Sequence, residues 1–440
     1  MAPESLKNKH LADLHEIAAE RGVETYRMLT RQELLAELGE DADEESGGGG
    51  RGSRGRGGRR RGRRGRGGDG GRDDRRRSDR DDERDQDDDP GEPISGVLEI
   101  TSRGHGFIRL DDPDSEKGDI YVSPSQIRRC ELQAGDQITG PARRPRRGER
   151  HPALVHIDTV NGAEPGGERS KFEELEAIQP HRRLPLAGAT GDEGAKQLLR
   201  SIDLLAPLAR GQRVLVNCTR GSGRTTLLRA LAAELAEADD LETLVVLIDE
   251  RPEEETEWRK ALPDGSLEVA GADMRPREQL RLVELAVARA KRKAEGGDDV
   301  VLLIDSLSRL AVAADDPGAA KPIFAAGRET ASEDAGSLTV IATVLTGDDD
   351  GGVAKALGTT ENVTLTLDGE LAEAGIFPAL AVGGCRVTRE EELRSEPELA
   401  GARALRAELA GLPARDAAER LRERLAANPT TETLLAKLAE

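Results

Sequence analysis

Three groups of residues in this 440-residue chain have the types and spacing to do chemistry. The first is CTRGSGRTT, Cys218 to Thr226, set between the apolar run VLVN and the helical pattern LLRALAAELAE. A glycine-rich turn joining a buried strand to a helix presents backbone N–H groups, and the positive end of the helix, to phosphate. Gly221 and Gly223 permit that close approach on either side of Ser222. Thr225 offers a hydroxyl to Mg2+, and Thr226 follows it. A lysine usually stands just before this Ser/Thr; here the loop cation is Arg224, and Cys218 occupies the place of the pattern's first glycine. Alone, GSGRTT is a weak match, because many Gly/Ser turns lead into helices.

Two further strand-like runs strengthen it. VVLLIDS ends on Asp305, where a carboxylate can orient a metal or simply cap the next helix. VVLIDERPEE ends on Asp249, Glu250 and Arg251: two acids able to polarise an attacking water, and an arginine able to hold a phosphate oxygen. The third group is aromatic. The chain has only four Phe and two Tyr, yet Phe107 and Tyr121 fall on neighbouring strand-like runs beside His105, Arg109, Arg128 and Arg129. Aromatic faces interleaved with arginine suit single-stranded bases and phosphates. A lone Phe in such a strand is more often core. Phe107, next to Gly106 and three residues after Gly104 in GHGF, is expected to be an exposed stacking platform.

The elements that must position these groups follow from pattern. Beyond about residue 166, apolar runs alternate with helical stretches: VLVNC, LVVLIDE, VVLLIDS and SLTVIATVL, with EQLRLVELAVARAKRKAE between two of them. Continuous apolar strands followed by helices predict a parallel sheet covered on both faces, whose carboxyl edge would carry all three strand-end motifs. The last stretch, about 397 to 440, reads as amphipathic helices. Residues 93–165 hold five short strand patterns, GVLEI, GHGFIRL, DIYVS, ITGPA and ALVHIDTV, which predict a small OB or cold-shock-like barrel. Residues 1–45 show helical spacing at Leu11, Leu14 and Ile17, then Leu34, Leu35 and Leu38, broken at Gly22. That N-terminal helical unit reads as a docking module or a nucleic-acid contact. Between them, 46–92 is an Arg/Gly then Asp/Arg tract with nothing to bury, expected to be disordered: an RNA-binding tail or a plain spacer.

The formal net charge of -20 argues against nucleic acid only if charge is spread evenly, and here it is not. The cysteines Cys130, Cys218 and Cys385 have neither metal spacing nor an even count for disulfides, which suits a reducing cytoplasm. No apolar run approaches the length of a membrane span, and the N-terminus lacks a signal peptide's apolar core.

LVVLIDERPEEETE, VVLLIDSLSRLA, GSLTVIATVL and DIYVSPSQIRR together resemble the Rho family of transcription termination factors, as do GVLEI with GHGFIRLDD and RSIDLLAPLARGQRVLV. LKNKHLADLHEIAAERG is similar to that family's N-terminal subdomain. The resemblance covers nearly all of the chain except the Arg/Gly tract. It implies a multidomain α/β protein with a RecA-like motor, assembled as a homohexamer, that binds nascent RNA, hydrolyses ATP with Mg2+ and releases transcript from RNA polymerase. It further implies ATP contacts at Arg210, Gly211, Gln212, Arg213 and Val214, at Gly221 to Thr226, and at Arg251. Glu250 would activate water, with Arg224 as the loop cation. Thr225 and Asp305 would serve the metal, and Arg389 would act on a neighbour's nucleotide. RNA would meet His105, Phe107, Arg109, Tyr121 and Arg128.

The chain departs from the family in four places. Arg224 replaces the loop lysine, and the connection LAVAADDPGAAKPIFAAGRE is short and lacks the family's Val-Leu-Thr-Gly-Gly turn. Asp348, Asp349 and Asp350 stand where a pore lysine is usual, and Gly375 replaces an arginine. These departures leave two family readings, a working motor and a paralogue that binds without translocating. A third reading is a RecA-like NTPase carrying an unrelated RNA-binding module.

Overall fold

The computed structural model describes residues 17–18, 38 and 91–440, apart from 111–117, 147, 168, 189, 264 and 348–351. The N-terminal helical unit and the Arg/Gly tract therefore lie almost wholly outside the described residues, and Asp348, Asp349 and Asp350 lie outside them too. From residue 91 the chain forms a β-barrel unit and then, from about 168, a larger α/β unit.

The barrel contains β1 (Glu92–Ile100), β2 (Gly106–Leu110), β3 (Ile120–Val122), β4 (Gln137–Arg143), β5 (Ala153–Leu154) and β6 (Thr159–Val160). Five strand patterns became six strands because the last, ALVHIDTV, divides in two. The order is β1-β2-β3-β5-β4-β6, and a further β1–β4 pairing closes the sheet on itself. Alternation decides which side chains face inward. On β2 and β3, Ile108, Ile120 and Val122 are fully buried, while Phe107 and Tyr121 lie on the opposite face. After β3 comes a short helix, α1 (Pro124–Arg129). In IYVSPSQIRR, Ser123 is its N-cap, Pro124 takes the first turn and Gln126 completes a capping box. Gln126 also donates to the Leu154 carbonyl at 3.0 Å, which ties the helix to β5.

In the larger unit β7 (Ala177–Ile178) pairs with β12 (Glu329–Thr330) as a small antiparallel ribbon. The main sheet is built from β8 (Arg213–Cys218), β9 (Glu242–Glu250), β10 (Leu267–Gly271), β11 (Val300–Asp305), β13 (Leu338–Leu345), β14 (Val363–Leu367) and β15 (Arg386–Val387). Its order is β10-β9-β11-β13-β8-β14-β15, parallel except for the β15 edge. The strands read as continuous apolar runs because both faces are covered. Val301 and Leu303 enter one core with Val214, Val216, Val245 and Leu247; Val300, Leu302 and Ile304 enter the other with Leu215, Leu244 and Val246.

Helices α2 (Glu193–Leu205) and α3 (Arg224–Ala236) cover the first face, together with the C-terminal helices at Glu396–Leu409, Ala414–Ala426 and Thr431–Ala439. The second face is covered by α5 (Pro276–Glu295) and α6 (Leu307–Ala314), which follow α4 (Pro252–Ala261) in the chain. The helical C-terminus expected from the pattern is thus present. Among the described residues, no helix is long and apolar enough to cross a membrane.

Candidate nucleotide and RNA sites

Parallel β8, β9 and β11 end at one edge of the sheet, which places the loop after Cys218 with Glu250 and Asp305. Thr219 to Gly223 form a tight turn. Ser222, almost fully buried, donates its Oγ to the Thr219 carbonyl at 2.8 Å. Gly221 and Gly223 take φ values of +74° and +90°, a left-handed backbone that side chains disfavour, and open space lies where a Cβ would stand. Gly223 caps α3 without any side-chain hydrogen bond, so the first-turn N–H groups remain available to an anion. Cys218, in place of a glycine, is fully buried; its thiol donates to the Val344 carbonyl and burial pushes its pKa up to about 12. It acts there as a small apolar side chain.

The loop cation does not hang free. Arg224 Nε lies 2.9 Å from Asp305 Oδ1, across β13, and Asp305 is only 1% exposed. The same oxygen accepts from the Thr343 hydroxyl at 3.1 Å. Burial pushes the Asp305 carboxyl above the usual carboxylate range, while Arg224 and Arg309 oppose that shift. Oδ2 of Asp305 is buried with no hydrogen-bond partner. A carboxylate oxygen left in that state, with the half-buried Thr225 hydroxyl on the first turn of α3, fits a hydrated divalent cation. Among the described residues no group of three or more His, Cys, Asp or Glu could cage a metal. Such a cation would therefore share its coordination with phosphate and water.

Glu250 is 7% exposed at the end of β9. Arg309 donates to its Oε2 at 2.7 Å and to the Ile248 carbonyl at 3.0 Å. Asp249 beside it is exposed, with a φ of +53°. Arg251 is exposed and begins α4. That helix is anchored by Trp258, 1% exposed, beneath the Arg229 guanidinium at 5.5 Å from the ring centre, and by Arg229 pairing with Glu254 at 2.8 Å. Sequence reading missed Arg309 and Thr343. Arg309 had a visible signal, since in DSLSR it stands four residues after Asp305, in the first turn of α6.

Arg210 to Val214 are not brought to this loop. They lead into the amino end of β8, and a strand rising about 3.3 Å per residue separates them from its carboxyl end. Their polar groups are committed internally. Arg210 pairs with Asp299 and Asp240, Gly211 N donates to Thr339, Gln212 accepts from Ala209 N, and Arg213 donates to the Thr360 and Gly327 carbonyls. Val214 is fully buried. At Gly211, φ is +76° and a Cβ would stand 2.2 Å from the Glu329 amide. Gly211→Ala is therefore expected to cost about 1–3 kcal/mol of stability, read as a lowered Tm, with nucleotide affinity of the folded protein unchanged. A selective loss of affinity would return this segment to the nucleotide site.

Arg389 is exposed at a φ of +57°, just beyond the β15 edge. Its neighbour Glu390 turns inward; burial opposes its charge, but Arg406 and Arg394 hold its carboxyl below the usual range. Arg389 is thus exposed on a braced turn beside the amino end of β14, away from the carboxyl edge that carries its own chain's loop.

On the barrel, His105, Phe107 and Tyr121 come together. Ring centres lie 5.6 Å apart for His105–Phe107, 5.7 Å for His105–Tyr121 and 6.0 Å for Phe107–Tyr121. Phe107 is half-buried among these neighbours rather than an exposed platform. His151, missed in the sequence because it is distant along the chain, joins at 5.1 Å from Phe107. Arg109 is occupied, with Nη1 2.8 Å from both Asp119 carboxylate oxygens; Arg128 is exposed on α1. A cleft of about 320 Å³ adjoins Tyr121, lined also by Gln126, Arg129, Arg143 and Glu149. The hydrogen bond from Arg143 holds the Glu149 carboxyl down to about 2, so it stays charged. Removing either ring, Phe107→Ala or Tyr121→Ala, is expected to weaken binding of a single-stranded pyrimidine oligonucleotide by about 1–3 kcal/mol, measured by fluorescence anisotropy. Unchanged affinity in both variants would remove the rings from the RNA surface.

Comparison with known proteins bears on both units. Residues 94–166 match the family model of the Rho termination factor RNA-binding domain, and residues 5–41 that of the Rho termination factor N-terminal domain. Residues 199–321 match the nucleotide-binding domain of the ATP synthase alpha/beta family. The chain is 38% identical over 337 residues to transcription termination factor Rho of Pseudomonas fluorescens, covering 70% of this chain and 79% of that protein. It is 37% identical over 372 residues to the Rho factor of Haemophilus influenzae, covering 78% and 87% respectively. Among solved structures, a prototypical ATPase of the type III secretion system of pathogenic bacteria aligns with a TM-score of 0.50 at 22% identity. That alignment covers 65% of this chain and 95% of the other, a likeness of fold.

Proposed function

Because the chain belongs to the Rho family of transcription termination factors, we propose that it binds nascent single-stranded RNA on its barrel and ATP with Mg2+ at the 219–226 loop, coupling RNA-dependent hydrolysis to transcript release. The observation that carries this reading is the convergence of an open phosphate loop, Glu250 and Asp305 on one sheet edge. In it, the first-turn amides of α3 and Arg224 hold phosphate, Glu250 orients the attacking water, and Arg309 positions Glu250. Mg2+, when bound, neutralises charge on the phosphates and leaving group. Arg389 reaches the nucleotide of a neighbouring copy in a homohexamer, and RNA polymerase is the complex from which transcript is released. The setting is the cytoplasm.

One observation favours the second reading, a relative that binds RNA and nucleotide but turns over slowly. The loop cation is held on the carboxylate expected to serve the metal. Phosphate release from ATP, with and without a cytidine-rich RNA, tests the proposal. RNA stimulation supports a working motor. Nucleotide-dependent stabilisation without release selects the slower reading. No stabilisation at millimolar ATP overturns both.

A further inference from the structure

The contact between Arg224 and Asp305 holds a fixed positive charge of the chain directly on the carboxylate expected to serve a metal. A carboxylate that is 1% exposed, at the sheet edge where a triphosphate would sit, repels that ligand unless a cation stands between them. Here the cation is already part of the chain. Arg224 Nε is 2.9 Å from Asp305 Oδ1, at the first residue of α3, directly after the Gly221–Gly223 turn. Among the described residues, the terminal nitrogens of Arg224 make no hydrogen bond. A guanidinium carries five donors in a planar fork, so one edge can stay on the carboxylate while the other takes a phosphate oxygen. A lysine ammonium on the same backbone is a compact point charge with no such two-sided fork.

The rest of the pocket agrees with a built-in charge. Thr343 shares Asp305 Oδ1 and so fixes the carboxylate that Arg224 meets. Arg309, the nearby second arginine, is engaged with Glu250 and the Ile248 carbonyl and so does not compete for Asp305 by hydrogen bonding.

We propose that Arg224 bridges Asp305 and the polyphosphate, so that this site binds a nucleoside triphosphate without requiring a divalent cation. The inference rests on the nucleotide-site reading above and deepens it. A metal can still enter through Oδ2 of Asp305, which has no partner, but it is then an addition to a neutralised site rather than the condition for binding.

The test is equilibrium binding of a non-hydrolysable ATP analogue to the full chain, by calorimetry, in excess magnesium and again in EDTA. For the unaltered protein, Kd is expected to change by no more than about threefold between the two, because the bridging charge is covalently attached. For Arg224→Lys, EDTA is expected to weaken binding by roughly tenfold or more, because a single ammonium lacks the fork that holds Asp305 on one edge and phosphate on the other. A tenfold or greater loss of affinity in EDTA for both proteins overturns the inference and leaves the nucleotide site standing. Equal tolerance of EDTA in both proteins also overturns it, since Arg224 would then not be the cause. If neither protein binds the analogue under either condition, the nucleotide reading fails, and this inference with it. Circular dichroism melts of Arg224→Lys establish that the variant is folded when it is titrated.

Discussion

Replacing Glu250 with glutamine is expected to lower RNA-stimulated phosphate release by about 10²–10⁴-fold while nucleotide-dependent stabilisation persists. The amide keeps the size of the side chain and can still accept from Arg309, so the brace at 2.7 Å survives in form. What is lost is a charged oxygen able to hold and polarise water. Glu250 is suited to that role by placement. It ends a strand in which Thr243 to Ile248 are buried, and it is fixed by a guanidinium that also grips the Ile248 carbonyl. Steady-state phosphate release and a thermal-shift titration with ATP, on the same preparation, separate chemistry from binding. An unchanged rate would remove Glu250 from the mechanism, and a lost thermal shift would make it a binding residue instead.

Replacing Arg224 with lysine is expected to raise the hydrolysis rate in magnesium, by as much as about a hundredfold if alignment of the terminal phosphate is what limits it. One edge of the guanidinium is committed to Asp305, and its planar head cannot occupy the same position as an ammonium. A shift of about 1 Å in a positioning group is enough for an effect of that size. Lysine would release Asp305 to serve the metal, restoring the division of labour implied by the family resemblance. The measurement is kcat for phosphate release at saturating ATP and RNA. A rate that stays flat or falls would locate any slowness elsewhere, with the short 310–329 connection and the 346–362 stretch the next candidates. Together with the chelation experiment, this variant reads two sides of one contact: tolerance of metal loss in binding, and speed in catalysis.

Much of this was legible in the chain itself. Strands buried on both faces read as unbroken apolar runs, and VVLLID and LVVLID could be little else. Helices announced themselves by spacing and caps, as Ser123, Pro124 and Gln126 did for α1. The phosphate loop and the acids at strand ends were visible because each is a local pattern, a few residues long and adjacent in sequence. The barrel rings were legible because aromatics are only 2% of the chain, so two on neighbouring strands stood out.

What local pattern did not place shares a physical cause. Arg210 to Val214 precede the loop closely in sequence, yet β8 runs between them, and an extended strand carries its two ends to opposite edges of the sheet. Phe107 was read as exposed because local sequence cannot count the neighbours that fold over a ring. His105, Tyr121 and His151 come from three separate segments and together half-bury it. Arg224 could be recognised as an arginine in a lysine's place, but not what it would hold. Its partner, Asp305, ends another strand with β13 standing between, and only the pairing of β8 with β13 and β13 with β11 brings the two within 2.9 Å. Residue types and local spacing thus determined that this chain has a phosphate loop, acids at the ends of neighbouring strands and a barrel with clustered rings. Which charge meets which is a property of strand order, because ion pairing depends on distances that no local pattern encodes, and only the folded sheet decided it.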